Sequence, residues 1–367
     1  MPIPESERDP NLKGPLKGVR VLELGQLLAG PFTTTRLADF GAEVIKIENP
    51  GKGDPMREWG HHRYEGKCLW WPVLARNKKS VTANLREVRG QDLVKRLAAE
   101  ADVLVENFKP GTIEKWGMGP EELNKINPAL IIARVSGFGQ TGPYADRPGF
   151  ASVGEAMGGG KGQVVDASIM ESCFTMMESS LMEYDKLGVI REPSGTGLAN
   201  IAPSNIYPTK DKKYVVIAAN IDPMFKRLCE AMGQPELAKD KRFVNHNARG
   251  NHVEVLDGII AEWTSTMTVK ELDNHLEKHG VVTGPIYSIA DIAKDPHYRE
   301  RKMIRYMNDD ALGEIAVPGI APRLTETEGD IAWLGPQELG SHNKEVYGSL
   351  LGISDSELDE LSNDGII

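Results

Sequence analysis

The stretch from residue 19 to residue 54 limits the fold of this chain more than any other part of its sequence. Val19, Val21 and Leu22 form a short apolar run, as expected of a buried strand. Residues 32–40 then predict a helix that ends at Gly41, and residues 44–47 predict a second buried strand. A strand, a helix and a second strand at this spacing form a βαβ unit, which requires a parallel sheet.

The same alternation continues through the first half of the chain. Further apolar strands are predicted at residues 81–85, 102–108 and 130–135, with helical segments between them. This pattern predicts a doubly wound α/β domain. Because ligands bind at the carboxyl ends of parallel strands, we expect a ligand site at the turns 25–31 and 48–54.

The second half of the chain has a different sequence pattern. A glycine-rich stretch at 158–162 leads to a strand and to a long predicted helix at about 168–187. A connection rich in proline and glycine, residues 193–208, then precedes a smaller α/β domain with a strand at 214–220. Methionine at helical spacing is more often core filler than a sulfur site. We therefore interpret these side chains of the long helix as core: Met170, Met176, Met177, Leu181 and Met182.

These observations define four regions of the 367-residue chain. They are a polar N-terminal tail at 1–17, a large Rossmann-like domain at 18–205, a small α/β domain at 206–319 and a C-terminal return to the large domain at 320–367.

Composition narrows the partners and the compartment. Aspartate and glutamate number 53 against 43 lysines and arginines, and the net charge of −10 argues against nucleic acid or an anionic membrane as a general partner. Cys68, Cys173 and Cys229 have no short spacing, which disfavours a disulfide framework or a zinc cluster. The first seventeen residues lack a signal core, and no apolar run reaches membrane-spanning length. We expect a cytoplasmic protein.

Several familiar site motifs fail on closer inspection. Residues 137–142 spell G-x-G-x-x-G after a strand, but Pro143 and the residues that follow cannot begin the helix that a dinucleotide needs. A shaped substrate loop is the better interpretation. His275 and His279 lie four apart on a predicted helix, but the intervening Glu277 is not in the zinc-protease order. We predict no metal site.

Positive residues, together with the neutral Asn107, flank one predicted strand and follow the next. Because the ends of parallel strands meet at one edge, these residues could form a cationic rim for a nucleotide-like polyphosphate. Scattered, solvated lysines would give the same pattern, and the residues alone do not decide between the two. The residues concerned are Lys78, Lys79, Arg86, Asn107, Lys109 and Lys115.

Five motifs in this order resemble a known family. The chain is similar over nearly its whole length to the family III CoA-transferases, the CaiB/BaiF family that includes formyl-CoA transferase. The strings that carry the resemblance are VRVLELGQLLAGPFTTTRLADFGAEVIKIENPGKGD, RNKKSV, DVLVENFKPG, INPALIIARVSGFGQTGPYADRPGF and GKGQVVDASIMES.

The resemblance implies a Rossmann-like large domain with a small α/β domain, in an interlocked, ring-like homodimer. It also implies that coenzyme A lies at the strand ends of the large domain as a substrate, with no permanently bound cofactor. Asn49 and Lys115 stand where the family has arginine, and lysine lacks the bidentate fork of arginine. The CoA-binding positions carried over from the family are Gln26, Leu27, Leu28, Ala29, Asn49, Ala83, Asn84, Leu85, Arg86, Asn107, Phe108, Lys109, Lys115 and Arg147.

The family's chemistry is nucleophilic catalysis by an aspartate, with acyl-CoA and a free carboxylic acid as substrates. The carboxylate attacks the thioester to give a mixed anhydride and CoA thiolate, and the thiolate returns to form an enzyme–CoA thioester. The acceptor acid then regenerates an acyl-CoA. A dicarboxylic acceptor and a succinyl-CoA-type donor are expectations at the level of the family.

This sequence departs from the family where that aspartate belongs. Several dozen residues are absent between Gly159 and Lys161, and the catalytic aspartate is among them, so no catalytic residue is identifiable. Asp166 matches a structural family position and is a poor substitute. The segment could have been removed from the chain, lost in a truncated or spliced product, or lost in a natural relative that still binds CoA. We expect impaired turnover.

Two other functions stay in view. An α-methylacyl-CoA racemase shares the early motifs, but such an enzyme uses a histidine where Phe150 stands here, and phenylalanine cannot carry a proton. The other alternative is a CoA-binding dimer without catalysis. Binding of CoA without turnover would distinguish it.

Overall fold

The computed structural model describes residues 12–59, 62–141, 143, 145, 163–175, 177, 179–193, 195–197 and 201–367. The chain divides into two compact units, each with its own hydrophobic core. The first unit comprises Met1–Glu178 with His297–Ile367, and the second comprises Ser179–Pro296. The domain boundaries predicted after residues 205 and 319 stay predictions.

The strands are short and are numbered in chain order. Most of them belong to the first unit, and β9 to β11 belong to the second. They are β1 (Arg20–Glu23), β2 (Glu43–Glu48), β3 (Arg63–Tyr64), β4 (Lys67–Cys68), β5 (Lys78–Thr82), β6 (Val103–Glu106), β7 (Ile131–Ser136), β8 (Val164–Ser168), β9 (Ser204–Pro208), β10 (Tyr214–Ala218), β11 (Thr283–Pro285), β12 (Ile304–Asp309) and β13 (Gly313–Pro318).

The α-helices alternate with the strands of the first unit and dominate the second. Among the described residues, no helix is both long enough and apolar enough to cross a bilayer. The helices are α1 (Ala29–Asp39), α2 (Trp71–Leu74), α3 (Val88–Ala99), α4 (Thr112–Lys115), α5 (Pro120–Ile126), α6 (Ile169–Thr175), α7 (Ser180–Leu187), α8 (Asp222–Ala231), α9 (His246–Gly250), α10 (Val253–Thr264), α11 (Val269–Lys278), α12 (Ile289–Lys294), α13 (Pro296–Glu300) and α14 (Asp355–Asn363), with 3₁₀ turns at Pro55–Glu58 and Pro235–Lys239 and a π-helix at Lys344–Leu350.

A parallel sheet organises the first unit. Its described strands lie in the order β5-β2-β1-β6-β7-β8, and every neighbouring pair is parallel. Val21 on β1 pairs with Val44 on β2 and with Val103 on β6. The order reverses direction at β1, so the gap between the ends of β1 and β6 is the topological switch point where such sheets bind ligands. The predicted mixed α/β fold with a parallel sheet is confirmed.

Alternating side chains give the sheet two buried faces. Val21 and Val44 pack against Ala38 of α1, while the intervening Leu22 and Ile45 pack on the other side in the cluster that includes Leu93 and Leu97 of α3. Helices on both faces of a parallel sheet explain why every residue of β1, β2 and β5 is buried.

The C-terminal segment covers the edge strand β5. The amide N–H of His342 donates to the carbonyl oxygen of Ser80 at 3.0 Å, and the side-chain oxygen of Asn343 accepts the N–H of Thr82 at 2.8 Å. The Tyr347 hydroxyl donates to the carbonyl oxygen of Thr82 at 2.8 Å. An edge strand with such partners cannot pair with another chain.

The opposite side of the sheet is less enclosed. Val164 of β8 is 42% exposed. The helix predicted at 168–187 is two separate helices, α6 in the first unit and α7 in the second. The prediction that its apolar side chains are core is wrong for the described residues, because helical spacing reveals an apolar face but not what covers it; Met176 lies outside those residues. The exposed side chains are Met170, Phe174, Met177, Leu181, Met182, Tyr184 and Leu187.

The second unit is a small α/β arrangement. Its antiparallel strands lie in the order β11-β10-β9, and Val215 and Ile217 of β10 point into a core shared with α8, α10 and α11. Buried Arg249 donates hydrogen bonds to the carbonyl oxygens of Ala202, Phe243 and Asn220, which ties the chain entering this unit to its helices.

Candidate functional site

A tight turn after β1 lies at the switch point of the parallel sheet. The N–H of Gln26 donates to the side-chain oxygen of Asn107 at 2.7 Å, and the side-chain amide of Asn107 donates back to the carbonyl oxygen of Gln26 at 3.0 Å. A Cβ on Gly25 would lie 3.0 Å from that same Asn107 oxygen. Glycine therefore permits the approach, and Asn107 joins the ends of β1 and β6.

Helix α1 begins directly after this turn with an open N-terminus. Leu28, its N-cap residue, provides no side-chain hydrogen bond, and the first turn carries no acidic residue. The first backbone N–H groups of a helix lack intrahelical partners and carry partial positive charge. Such an end suits an anion or an oxygen that becomes negative during a reaction.

A buried ionic cluster lies beneath the turn, on the α1 side of the sheet. Glu23 binds Lys46 at 2.7 Å through one carboxylate oxygen and Lys78 at 2.8 Å through the other. Burial raises the pKa of Glu23, but the two lysines outweigh it and lower that pKa to about 2. Burial lowers the pKa of Lys78 to about 8 despite the attraction of Glu23.

The turn after β2 joins this cluster. Lys46 also lies 2.8 Å from Oδ2 of Asp54 and donates to the carbonyl oxygen of Gly25 at 2.9 Å. Oδ1 of Asp54 accepts the N–H of Leu27 at 3.1 Å. Glu48, at the end of β2, accepts the N–H of Asp54 at 2.9 Å, so the two turns predicted to form the site are joined.

The structure corrects part of the predicted cationic rim. Lys78 and Lys79 are buried within β5, where they pair with Glu23 and with Glu43 at 2.8 and 2.9 Å. Their position beside the predicted strand suggested a surface role. Consecutive strand residues point to opposite faces, however, and because both faces of this sheet are covered, both lysines are buried. Three of the predicted cations are exposed: Arg86, Lys109 and Lys115.

The remaining predicted positions lie at or near the same sheet edge. Asn49 directly follows β2, and its carbonyl oxygen accepts the N–H groups of Lys52 and Gly53. Ala83 follows β5 and donates to the carbonyl oxygen of Glu48 at 2.9 Å. The side-chain oxygen of Asn84 accepts the N–H of Arg86 at 3.2 Å. Leu85 and Phe108 are half-buried against the main core, and Arg147 lies outside the described residues.

Asp166, the nearest downstream carboxylate to the missing segment, lies in the middle of β8. It pairs in register with Arg134, and its Oδ2 accepts the N–H of Gln140 at 2.8 Å. β8 is three strands away from β1, and three strand spacings amount to roughly 14 Å. Asp166 therefore supports the loop after β7 and does not face the turn at Gln26.

The part of the chain that the structure describes offers no metal-binding cluster, and one of its buried thiols is unreactive. It contains no group of three histidine, cysteine or acidic side chains able to hold a metal ion. Burial raises the pKa of the Cys229 thiol to about 12, which keeps it protonated and unreactive at neutral pH.

Sequence reasoning missed the residues that hold the turn from below. Glu23, Lys46 and Asp54 are buried and belong to no familiar motif. A signal was nevertheless present, because a buried parallel strand is normally apolar and both VLE and VIKIE place a charge inside one. Charges buried in this way require partners, and here they find each other across three adjacent strands.

The chain is similar to known proteins over most of its length. The model of CoA-transferase family III matches residues 16–160 and 158–343. The chain is 50% identical to a succinyl-CoA–D-citramalate CoA-transferase of Chloroflexus aurantiacus, over 96% of the chain and 97% of the relative. It is 36% identical to the beta subunit of a succinyl-CoA–L-malate CoA-transferase of the same organism, over 96% of the chain and 98% of the relative.

A solved structure gives the same result. A CaiB/BaiF family protein from Brucella suis matches with a TM-score of 0.77 and 31% identity, over 92% of this chain and all of that one. The alignment with the D-citramalate relative spans 395 positions, although this chain has only 367 residues. That relative therefore contains residues that have no counterpart here.

Proposed function

The chain belongs to CoA-transferase family III, and from that premise we propose that it binds a CoA thioester at the carboxyl ends of its parallel strands. The observation that carries the proposal is the clamp between Gln26 and Asn107 at the switch point. The clamp holds the open N-terminus of α1, whose amides suit a thioester oxygen. Exposed Arg86, Lys109 and Lys115 supply positive charge for the phosphates.

The proposed ligand lies across the turn and the neighbouring strand ends. Residues 26–29 would contact the pantetheine and the thioester. The adenosine and phosphates would lie against Asn49, Ala83, Asn84, Leu85, Arg86, Asn107, Phe108, Lys109 and Lys115, with Arg147 nearby.

The proposed reaction moves CoA from a succinyl-CoA-type donor to a dicarboxylic acid. Two similar enzymes are named for succinyl-CoA as donor and for D-citramalate or L-malate as acceptor. These acceptors share a hydroxydicarboxylic acid skeleton, so an acid of that class is the first to test. In the family the transfer proceeds through an aspartyl anhydride and an enzyme–CoA thioester.

We further propose that this chain does not complete that reaction. The family model matches it in two pieces that meet at residues 158–160, and the relative at 50% identity contains additional residues. These findings support the loss of the segment that carries the nucleophile, after Gly159. Val164 of β8, which follows that position, is 42% exposed, as expected where a covering element has been lost.

The second candidate function is a cytoplasmic CoA-binding homodimer without catalysis. Exposed apolar side chains on α6 (Met170 and Phe174) and on α7 (Leu181, Met182 and Leu187) favour self-association, because clustered apolar residues on a surface often mark an interface. An interlocked, ring-like dimer would cover them. The racemase alternative has no such support, since Phe150 cannot move a proton.

The test combines calorimetry with a turnover assay. CoA is titrated into the chain, and succinyl-CoA is incubated with D-citramalate or L-malate while products are followed by mass spectrometry. CoA binding without a new acyl-CoA is the expected result. Transfer above a no-protein control would overturn the proposed loss of catalysis, and absence of CoA binding would overturn the site.

A matched pair of asparagine variants tests the location. Asn107→Ala removes the clamp on Gln26, whereas Asn127→Ala removes a similar half-buried side chain that donates to the carbonyl oxygens of Ala98 and Ala101. We expect Asn107→Ala to weaken CoA binding by about tenfold or more and Asn127→Ala to leave it within about twofold. Equal effects would contradict this location.

A further inference from the structure

We propose that Asp54 is a positioning residue that fixes the backbone of the turn at residues 25–28 on which the CoA thioester would rest. This inference rests on the proposed function, because it assigns a role within the same site. Asp54 is buried, with only 2% of its surface accessible, so it does not itself present a group to the ligand.

The Asp54 carboxylate joins three parts of the site. Its Oδ1 accepts the N–H of Leu27 at 3.1 Å and the N–H of Met56 at 2.8 Å. Its Oδ2 lies 2.8 Å from Nζ of Lys46 and forms an ion pair with it. One buried side chain therefore connects the turn after β1, the turn after β2 and the ionic cluster.

The turn needs this support because its backbone is strained. Leu27 has a φ of 62°, in the left-handed region that a leucine rarely adopts. Such a conformation persists only when the surroundings hold it. Asn107 holds Gln26 and Lys46 holds the carbonyl oxygen of Gly25, but the described contact on the N–H of Leu27 itself comes from Asp54.

The position of Leu27 gives the contact its consequence for ligand binding. Leu27 is followed by Leu28, the N-cap residue of α1, so a change in the φ of Leu27 rotates the first free amides of that helix. Asp54 is itself fixed from the other side, because Glu48 accepts its N–H at 2.9 Å. The direction of the amides is thus set by a rigid chain of contacts that begins at the end of β2.

The experiment separates the two ends of CoA. Calorimetry measures the affinity of the full chain for CoA and for adenosine 3′,5′-bisphosphate, which lacks the pantetheine. Asp54→Ala is expected to weaken CoA binding by about tenfold, the cost of losing one hydrogen bond that orients the contact, while the nucleotide stays within about twofold. A role in general folding would weaken both ligands together.

Asp309 offers a matched control in the same compact unit. It is also buried, and its Oδ1 accepts two backbone N–H groups, those of Ala311 and Leu312, at 2.9 Å each. Its hairpin lies outside the parallel sheet. Asp309→Ala should leave the ratio of the two affinities unchanged.

Each outcome bears on the inference. Failure of the unmodified chain to bind CoA would overturn the proposed function and this inference with it. CoA binding by the unmodified chain, with an unchanged ratio of affinities in Asp54→Ala, would overturn the inference alone. If Asp54→Ala does not fold, Asp54→Asn decides, because it keeps the shape, but its neutral amide oxygen accepts the N–H of Leu27 more weakly than the carboxylate does. A selective loss of about threefold for CoA is then expected, and an unchanged ratio would overturn the role.

Discussion

The two sides of the parallel sheet differ in how completely they are enclosed. On the β5 side every strand residue is buried, ion pairs cross from strand to strand and the C-terminal segment covers the edge. On the β8 side Val164 is 42% exposed and α6 has no buried residue. A parallel sheet normally has both faces covered. Among the described residues, the contrast supports the proposal that the half of the site that would bind CoA keeps its packing, while the half next to Gly159 has less cover.

The largest expected effect comes from restoring that cover. The residues that the D-citramalate relative has in addition would be inserted between Gly159 and Lys161. We expect transfer of CoA from succinyl-CoA to rise from background to an ordinary enzymatic turnover, on the order of 1 s⁻¹ or more. Product formation measured by mass spectrometry checks this, with an inserted glycine–serine linker of equal length as the control. Turnover with the linker, or no turnover with the relative's segment, would contradict the proposed origin of the defect.

A smaller but still large effect should follow from removing a charge on the enclosed side. Glu23→Gln leaves Lys46 and Lys78 buried without their shared carboxylate, and a broken buried pair costs about 3–5 kcal/mol of unfolding free energy. Asp166→Asn, on the exposed β8, should change that free energy by less than about 0.5 kcal/mol. Urea unfolding of both variants measures the difference. Similar losses in the two would show that the sides are equally packed.

The same cluster predicts a dependence of stability on pH. The pKa of Glu23 is about 2 in the folded chain against an ordinary 4.5, so the unfolded chain binds more protons between these values. Its contribution is therefore present above about pH 4.5 and is lost as the pH falls toward 2. The expected loss is on the order of 3 kcal/mol, followed by urea unfolding at a series of pH values.

Glu23→Gln is the control for this pH dependence. Because glutamine does not titrate, the variant should have a flatter stability profile in the acid range than the unmodified chain. Profiles of equal slope would mean that other carboxylates govern the acid transition. Glu43 and Glu48, whose pKa values nearby arginine and lysine side chains also lower against the effect of burial, would then be the candidates.

The sequence was sufficient to predict the first unit in outline, because strands such as VLE and VIKIE are short, largely apolar segments with helical segments between them. It also brought Gln26 and Asn107 to one edge, since parallel strands end together. It did not predict that Lys78 is buried. A lysine beside a strand has the same local sequence whether its side chain faces solvent or pairs with Glu23. Burial of charge depends on partners from distant parts of the chain, and local patterns do not contain them.

The prediction that the apolar side chains of α6 are core was wrong for a related reason. This region provides the smallest expected effect of a substitution. Phe174 is 51% exposed on α6, whereas Phe225 is 2% exposed in the core of the second unit. Phe225→Ala should cost about 3–5 kcal/mol in urea unfolding, and Phe174→Ala should stay within about 0.5 kcal/mol in dilute protein. Sedimentation at higher concentration should show that Phe174→Ala weakens self-association, because the apolar face would be covered by a second copy. If Phe174→Ala instead destabilises the dilute chain as much as Phe225→Ala and leaves sedimentation unchanged, the β8 side is enclosed within one chain, and the contrast between the two sides of the sheet is wrong.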